Sequence, residues 1–328
     1  MWISGRDIGE SSSGKIEDEG PAHVEPGGTI SSEGIAMTEM NAADQANTPM
    51  PALASGFDGF RFFLDNNVTY GIGGTGTIFG TGGGARVHVR DVAGTIVFDP
   101  SFNSGGHYIG LPGETEDWQV QRHGSTARFS DGDTLVQIPV GTTGSGIGFG
   151  GVVGVLRYEV DTDSVKIDDQ VVGPEFEPVM PLFNDTFWGN DIIDLSVGGR
   201  LFLSPGGEVT VSGYLSIFGT AESEHILLDG GRVVLDPSFN RGGDILTLGL
   251  PHYEFSAVVE GSRVKLTGPG YDISIPVGTA GMEVEFSNDS RTLRYDSDIG
   301  RVFIGDQIIL GEGEDGPVPA ASSLSVFG

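Results

Sequence analysis

The sequence has no cysteine, few basic residues and no long apolar run, and each absence excludes a class of protein. Without cysteine there is no disulfide, no thiolate metal site and no cysteine nucleophile. The 17 basic residues face 46 acidic ones, for a formal net charge of −29, and such a chain repels nucleic-acid phosphates and anionic membranes. No stretch approaches the roughly 18 apolar residues of a transmembrane helix. We therefore expect neither nucleic-acid partners nor membrane insertion.

Motifs of common enzymes are missing as well. The six histidines are scattered, without the spacing of a zinc enzyme. The Gly-x-Ser-x-Gly turn of serine hydrolases is absent. The glycine-rich stretch 71–84 lacks the Gly-Lys-Ser/Thr ending of a phosphate loop. With no positive sign of catalysis, we predict a non-enzymatic protein.

The strongest feature that is present is an internal repeat at a constant spacing. Asp-Pro-Ser-Phe-Asn at 99–103 returns at 236–240, and Ile-Pro-Val-Gly-Thr at 138–142 returns at 275–279. The offsets 236 − 99 and 275 − 138 both equal 137. Leu-Arg-Tyr, at 156 and 293, and Asp-Gln, at 169 and 306, keep the same offset. One unit has therefore been copied with almost no internal insertion, as in many surface, filament and adhesive proteins.

Alternation of apolar and polar residues predicts short β-strands and no helix. The clearest examples lie in the second copy, at 264–266 and 273–277, and the 55 glycines suit tight turns. Short apolar pieces about nine residues apart indicate a roll in the front of each copy. The predicted fold is all-β, with two tandem homologous modules, each a short β-roll or solenoid-like part plus an antiparallel β-sandwich part. We assign an extended, linker-like N-terminal arm to 1–56, module 1 to 57–173, a connector and module 2 to 174–311, and a C-terminal tail to 312–328.

The repeated Asp-Pro-Ser-Phe-Asn segment suggests a calcium site in the second copy. Asp236, Ser238, Asn240 and Asp244 place oxygen atoms at alternate positions around a turn, which hard cations prefer. Helix-flanked calcium loops have glycine where Arg241 stands. The alternative is that these residues cap a turn whose phenylalanine fills the core.

The first copy carries a weaker version of the same pattern. Asp99, Ser101 and Asn103 match the second copy, but His107 replaces the fourth oxygen ligand. Calcium is the one cofactor that the sequence predicts, and we expect it to bind the first copy less tightly.

Three aromatic residues offer surfaces for sugar rings if they are exposed. They are Trp118, Trp188 and Tyr253, and the alternative for each is packing in the core or at its edge.

The C-terminal residues 324–328 (Leu-Ser-Val-Phe-Gly) echo 215–219 (Leu-Ser-Ile-Phe-Gly). Leu324, Val326 and Phe327 are thus predicted to form an assembly strand that opens a third unit. Such a strand can pair with a sheet edge of the next subunit and produce a polymer. The alternative is a strand that folds back on its own second module.

The motif order resembles repeat modules of large secreted surface proteins of alphaproteobacteria, in the repeats-in-toxin and surface-layer class exported by type I secretion. Ile-Phe-Gly-Thr, Leu-Asp-Pro-Ser-Phe-Asn, Ile-Pro-Val-Gly-Thr, Thr-Leu-Arg-Tyr-Asp and Gly-Asp-Gln-Ile carry the resemblance over roughly 75–310. It implies export through a C-terminal signal, calcium in the medium and a role at the cell surface. The Gly-Gly-x-Gly-x-Asp nonapeptides of true repeats-in-toxin proteins are missing, and so is a cleavable signal peptide.

These observations predict a structural subunit of a bacterial extracellular assembly, such as a filament, layer or adhesive matrix. The expected partner is the chain itself, through its terminal segments. The alternatives are a phage fibre or decoration protein and a carbohydrate-binding module that recognises glycans.

Overall fold

A computed structural model describes residues 59–311, except 67, 83, 183–197 and 242, together with 322–324. Strands dominate this part, which confirms the all-β prediction, and the helical pieces described are short 3₁₀ turns. The predicted arm, Trp188, Val326 and Phe327 lie outside the described residues. None of the described helices is long and apolar enough to cross a bilayer. The turns are Pro100–Ser104, Thr115–Asp117, Pro237–Asn240 and His252–Glu254.

The first half of the fold contains two parallel ladders that continue into antiparallel hairpins. Ladder 1 pairs β1, β3, β5 and β9 in parallel, followed by β8, β7 and β14. Ladder 2 pairs β2, β4, β6 and β10 in parallel, followed by β11, β12 and β13. The strands are β1 (Phe60–Phe63), β2 (Thr69–Gly74), β3 (Gly76–Phe79), β4 (Arg86–Val89), β5 (Gly94–Phe98), β6 (Tyr108–Leu111), β7 (Gln119–His123), β8 (Thr126–Ser130), β9 (Thr134–Pro139), β10 (Ser145–Phe149), β11 (Val152–Glu159), β12 (Ser164–Ile167), β13 (Gln170–Val172) and β14 (Glu177–Pro178).

The second half follows the same scheme, except that the two long strands β16 and β17 each belong to both ladders. Ladder 1 continues through β15, β16, β17, β21, β20, β19 and β26, and ladder 2 through β16, β17, β18, β22, β23, β24 and β25. The strands are β15 (Gly199–Leu203), β16 (Glu208–Phe218), β17 (His225–Leu235), β18 (Ile245–Leu248), β19 (Ser256–Glu260), β20 (Arg263–Gly268), β21 (Tyr271–Pro276), β22 (Met282–Glu285), β23 (Ser290–Asp296), β24 (Arg301–Ile304), β25 (Gln307–Ile309) and β26 (Ser322–Ser323).

The two halves meet at an antiparallel seam. Strand β1 pairs with β15 in ladder 1, and β2 pairs with β16 in ladder 2. The strands next to the seam in each half pair with one another in parallel. The strand direction in both ladders therefore reverses at the seam. Both ladders therefore run unbroken from one half into the other.

The ladders face each other across a shared core. Buried residues alternate with outward ones along most strands, as a half-buried sheet requires. Aromatic rings from opposite ladders touch between them: Phe62 with Tyr70 at 4.9 Å, and Phe129 with Phe149 at 6.2 Å between centroids. In the second half Phe255 lies 5.4 Å from Phe286, and the matching pair of the first half, 137 residues earlier, is Trp118 with Phe149 at 6.4 Å.

The outer end of the first half is closed by a side chain. Gln170 on β13 donates through Nε2 to the Pro178 carbonyl at 3.0 Å and accepts from the Met180 N–H at 2.9 Å. It thus links the last strand of ladder 2 to Met180 and to β14, the strand that pairs with β7 in ladder 1. Residues 177–179 pack with the first half, although the sequence assigned them to the connector.

The last described strand folds back on its own chain. Strand β26 pairs with β19, and the Leu324 N–H donates to the Phe255 carbonyl at 3.1 Å. In the first half the Val179 N–H donates to the Trp118 carbonyl at 3.0 Å, and residues 118 and 255 are 137 apart. Residues 322–324 thus occupy the place of 177–179 and complete the second half instead of opening a third unit. Leu324 is 1% exposed there.

Candidate functional site

The predicted calcium loop of the second half is built as a capped turn. The Asp236 carboxylate accepts the N–H of Ser238 at 2.9 Å and also its hydroxyl. The Ser238 hydroxyl oxygen in turn accepts the Gly219 N–H at 3.0 Å, and Phe239 is fully buried. These oxygen atoms tie the turn to the end of β16, as the capping alternative describes.

The first half repeats the capping bonds of this turn. Asp99 accepts the N–H of Ser101 at 3.1 Å, and the Ser101 hydroxyl accepts the Gly80 N–H at 2.8 Å. Within the part of the chain that the structure describes, no three His, Asp or Glu side chains converge as a metal site would require. Calcium binding at Asp99, Ser101, Asn103, Asp236, Ser238, Asn240 and Asp244 stays a prediction.

The turns also explain the glycine of the repeated Ile-Pro-Val-Gly-Thr. A Cβ on Gly141 would lie 2.2 Å from the Asn103 carbonyl oxygen, and one on Gly278 would lie 2.6 Å from that of Asn240. Two backbones approach closely at each point, so only glycine fits.

Asp244 belongs to a buried carboxylate pair with Glu224. The Glu224 N–H donates to Oδ1 of Asp244 at 2.9 Å, and the Thr220 hydroxyl donates to Oε1 of Glu224. Both side chains are at least 99% buried, and Oε2 of Glu224 and Oδ2 of Asp244 have no partner among the described residues. Burial above all, with Glu224 adding to it, raises the pKa of Asp244 to about 7. The Asp244 carboxyl can therefore hold a proton near neutral pH.

In the first half, Ala85 and His107 occupy the places of Glu224 and Asp244, and neither carries a carboxylate. The Ala85 N–H donates to Nδ1 of the fully buried His107 at 3.3 Å, and Nε2 of His107 lies 3.2 Å from the Ser104 hydroxyl. Burial lowers the pKa of His107, so its ring is uncharged. Sequence reasoning found Asp244 and His107 but missed Glu224, because strand pairing of β17 with β18 brings 224 and 244 together and no motif links them.

An aromatic row crosses the seam on the outer face of ladder 1. Phe79 stacks on Phe63 at 4.6 Å, Phe63 meets Phe202 edge-on at 5.8 Å, and Phe202 stacks on Phe218 at 4.6 Å. Phe202 is 37% exposed and the other three rings are half-buried. Four phenylalanines thus form a continuous strip on the molecular surface.

Two arginines flank this strip. Arg61 lies opposite Phe202, and Arg200 lies opposite Phe63, in the register of β1 and β15. We call Arg61, Phe63, Phe79, Arg200, Phe202 and Phe218 the seam patch. The next three outward residues in each of its two rows along ladder 1 are uncharged: Thr77, Val97 and Gln137 on one side, and Ser216, Val234 and Ser274 on the other. The patch is a basic and aromatic area on an acidic chain.

The aromatic residues singled out for sugar binding are placed differently from one another. Trp118 is 1% exposed, and its indole N–H donates to the Pro112 carbonyl at 2.8 Å, so it packs in the core. Tyr253 is 52% exposed. No sequence pattern indicates the seam patch, because its six residues come from four separate strands.

Comparison with known proteins finds no family model and no curated protein that matches the chain.

Proposed function

We propose that the chain is a non-enzymatic structural subunit of an extracellular bacterial surface assembly, and that copies of it associate through the seam patch. The observation that carries this proposal is a partly exposed row of four phenylalanines between two arginines on a chain of net charge −29.

The chemistry of the patch suits a protein interface. Aromatic residues and arginine are enriched in such interfaces, and contiguous exposed apolar area marks them. A sheet face, unlike a cleft, suits a large partner.

Charge complementarity favours a second copy as the partner. The rest of the chain supplies abundant carboxylates, including those of the exposed hairpin tips at Asp161 and Asp298. A contact between the patch of one copy and an acidic surface of another is heterologous, and heterologous contacts generate open filaments or closed rings. Calcium remains the candidate counter-ion of the acidic surface, and Val326 and Phe327 remain candidates for a second contact.

Sedimentation velocity and negative-stain microscopy of the full chain test the proposal, at low and high salt, with calcium and with chelator. We expect assemblies that weaken at high salt, because screening acts on the arginine part of the contact. Arg61→Glu/Arg200→Glu should reduce assembly strongly. Arg157→Glu/Arg294→Glu is the matched control, since it makes the same charge change at exposed positions of ladder 2.

Two further results test the contact in the C-terminal segment and the structural-subunit proposal itself. A chain ending at Pro319 tests the C-terminal segment, and loss of assembly there would locate a contact in it. A monomer under every condition would overturn the structural-subunit proposal.

Carbohydrate binding is the second candidate, favoured by the exposed rings of the seam patch and Tyr253. A glycan-array signal that Phe63→Ala and Phe202→Ala abolish would support it. Trp118→Ala is unsuitable for that test, because it would remove a core side chain. Gene neighbourhood distinguishes a cell-surface protein from a phage fibre or decoration protein.

A further inference from the structure

A cleft of about 460 Å³ opens in the second half between β19, Val277 at the end of β21, and the hairpin β23–β24. We call it the second-half groove. Apolar side chains form most of it, together with the ring of Tyr295 and backbone at three glycines. Its lining includes Val259, Gly261, Tyr295, Gly300 and Arg301.

In the first half an arginine occupies the matching space. Subtracting 137 from 259, 261, 295 and 300 gives Arg122, Gly124, Tyr158 and Asp163. The Arg122 guanidinium lies 5.9 Å from the centre of the Tyr158 ring. Arg122 donates to the Gly124 carbonyl at 2.9 Å, to the Asp163 carbonyl at 2.6 Å and to the Asp163 carboxylate at 3.0 Å.

The second half keeps the backbone of this arginine site. Gly124 and Gly261 have φ angles of 63° and 64°, and Asp163 and Gly300 have 47° and 66°. The N–H of residue 122 donates to the carbonyl of 173, and that of 259 to the carbonyl of 310, so the strand itself is placed alike. The ring is kept as Tyr295. What changes is the arginine side chain, replaced by Val259, the Asp163 carboxylate, replaced by a hydrogen, and Ser164, replaced by Arg301 at the groove wall.

We propose that the second-half groove receives an arginine side chain of a partner protein, in the place that Arg122 fills in the first half. Its guanidinium lies over the Tyr295 ring and donates to the carbonyl oxygens of Gly261 and Gly300. A guanidinium stacks on a ring face and reaches two acceptors at once, which an ammonium does not.

Charge supports a cationic guest. The chain carries a net charge of −29, and Asp298 is exposed on the same hairpin turn as Gly300. Arg301 is the one cation among the lining residues. It repels a guest arginine on its own side of the groove. The site is separate from the seam patch and does not rest on the proposed function.

An NMR titration of the full chain with end-blocked Gly-Arg-Gly tests the proposal, with Gly-Lys-Gly as the matched control. We expect saturable shifts at Val259, Tyr295 and Gly300, with a dissociation constant on the order of 1 mM, and binding of the lysine peptide about tenfold weaker. Val259→Arg should abolish the shifts, because its own side chain fills the groove. Arg122→Val should create a second site of the same kind in the first half.

Tyr295→Ala keeps the test decisive if Val259→Arg folds poorly, and circular dichroism checks each variant. Equal binding of the lysine peptide, shifts that persist in Val259→Arg and Tyr295→Ala, or no binding of the arginine peptide to the wild-type chain would each overturn the proposal.

Discussion

At the scale of single residues, the two halves satisfy one buried backbone N–H in different ways. In the first half a neutral imidazole, His107, accepts the N–H of Ala85. In the second half a carboxylate, Asp244, accepts the N–H of Glu224 and lies beside a second carboxylate. Two buried carboxylates cannot both ionise cheaply, because each charge loses its hydration and repels the other. At this matched position a protonation event is therefore built into the second half and not into the first.

The first prediction concerns pH. The folded state holds Asp244 at a pKa of about 7, against 3.8 as its ordinary value. Between about pH 4 and 7 the folded chain binds a proton that the unfolded chain has lost, so stability falls as pH rises through this window and levels off above it. We expect a decrease of a few kcal/mol in the free energy of unfolding, since a tenfold change in proton affinity corresponds to about 1.4 kcal/mol. Urea unfolding across the window measures it.

Asp244→Asn is the control, because an amide keeps the hydrogen bond and has no proton to lose. Its unfolding free energy should lose this part of the pH dependence. Glu224→Ala/Asp244→His, which transfers the residues of the first half, should lose it too, and its buried neutral imidazole should instead make stability rise with pH below about 6.5. Identical pH profiles of the wild-type chain and Asp244→Asn would contradict the assignment.

At the scale of elements, the recurring unit is a capped 3₁₀ turn tied to the preceding rung of ladder 1. Asp236 caps it, Ser238 ties it to Gly219, and Phe239 anchors it in the core. The serine hydroxyl both donates and accepts, so the sequence pattern that resembles a calcium loop is also what a capped turn needs.

The second prediction separates these two roles. Ser101→Ala and Ser238→Ala each remove the tie between turn and ladder, and each should cost about 1 kcal/mol of unfolding free energy. The two losses should add, because the turns are in different halves. Denaturant unfolding of the single and double variants measures this.

Calcium gives the same variants a second readout. If the loop binds calcium, the ion should raise the melting temperature of the wild-type chain, chelator should reverse the increase, and Ser238→Ala should diminish it. A melting temperature that does not respond to calcium would leave capping as the only role of these oxygens.

At the scale of the whole molecule, the seam joins the halves into one folding unit. Besides the strand pairs, Nη2 of Arg90 in the first half donates to the Ser212 hydroxyl at 2.7 Å and pairs with Asp229 at 2.8 Å. Both ladders and the core cross this boundary without interruption. Neither half can be removed without exposing strand edges and the rings beside them.

The third prediction is therefore a single unfolding transition for the strand-built part of the chain. Ile96→Ala, a core substitution in the first half alone, should cost about 2 to 5 kcal/mol and shift the whole transition. Differential scanning calorimetry measures it. Two transitions, of which only one moves in Ile96→Ala, would mean that the halves unfold independently.

The sequence by itself determined the strands, the turns and the duplication. The alternation at 273–277 is a local pattern, and the constant offset of 137 can be counted directly. Both can therefore be recognised in the sequence alone. Capping by Asp99 and Asp236 is the alternative to calcium binding that the sequence predicts, because a cap bonds to a backbone N–H only two or three positions away in its own chain.

Only the tertiary structure decided which of these residues meet. Glu224 and Asp244, the four rings of the seam patch, and the groove where Val259 replaces Arg122 all depend on pairing between strands far apart in sequence. The burial of Trp118 and the fold-back of Leu324 have the same origin. Side-chain period and turn chemistry constrain a strand's own faces, but cross-strand register and ladder order are set by the packing of the whole core.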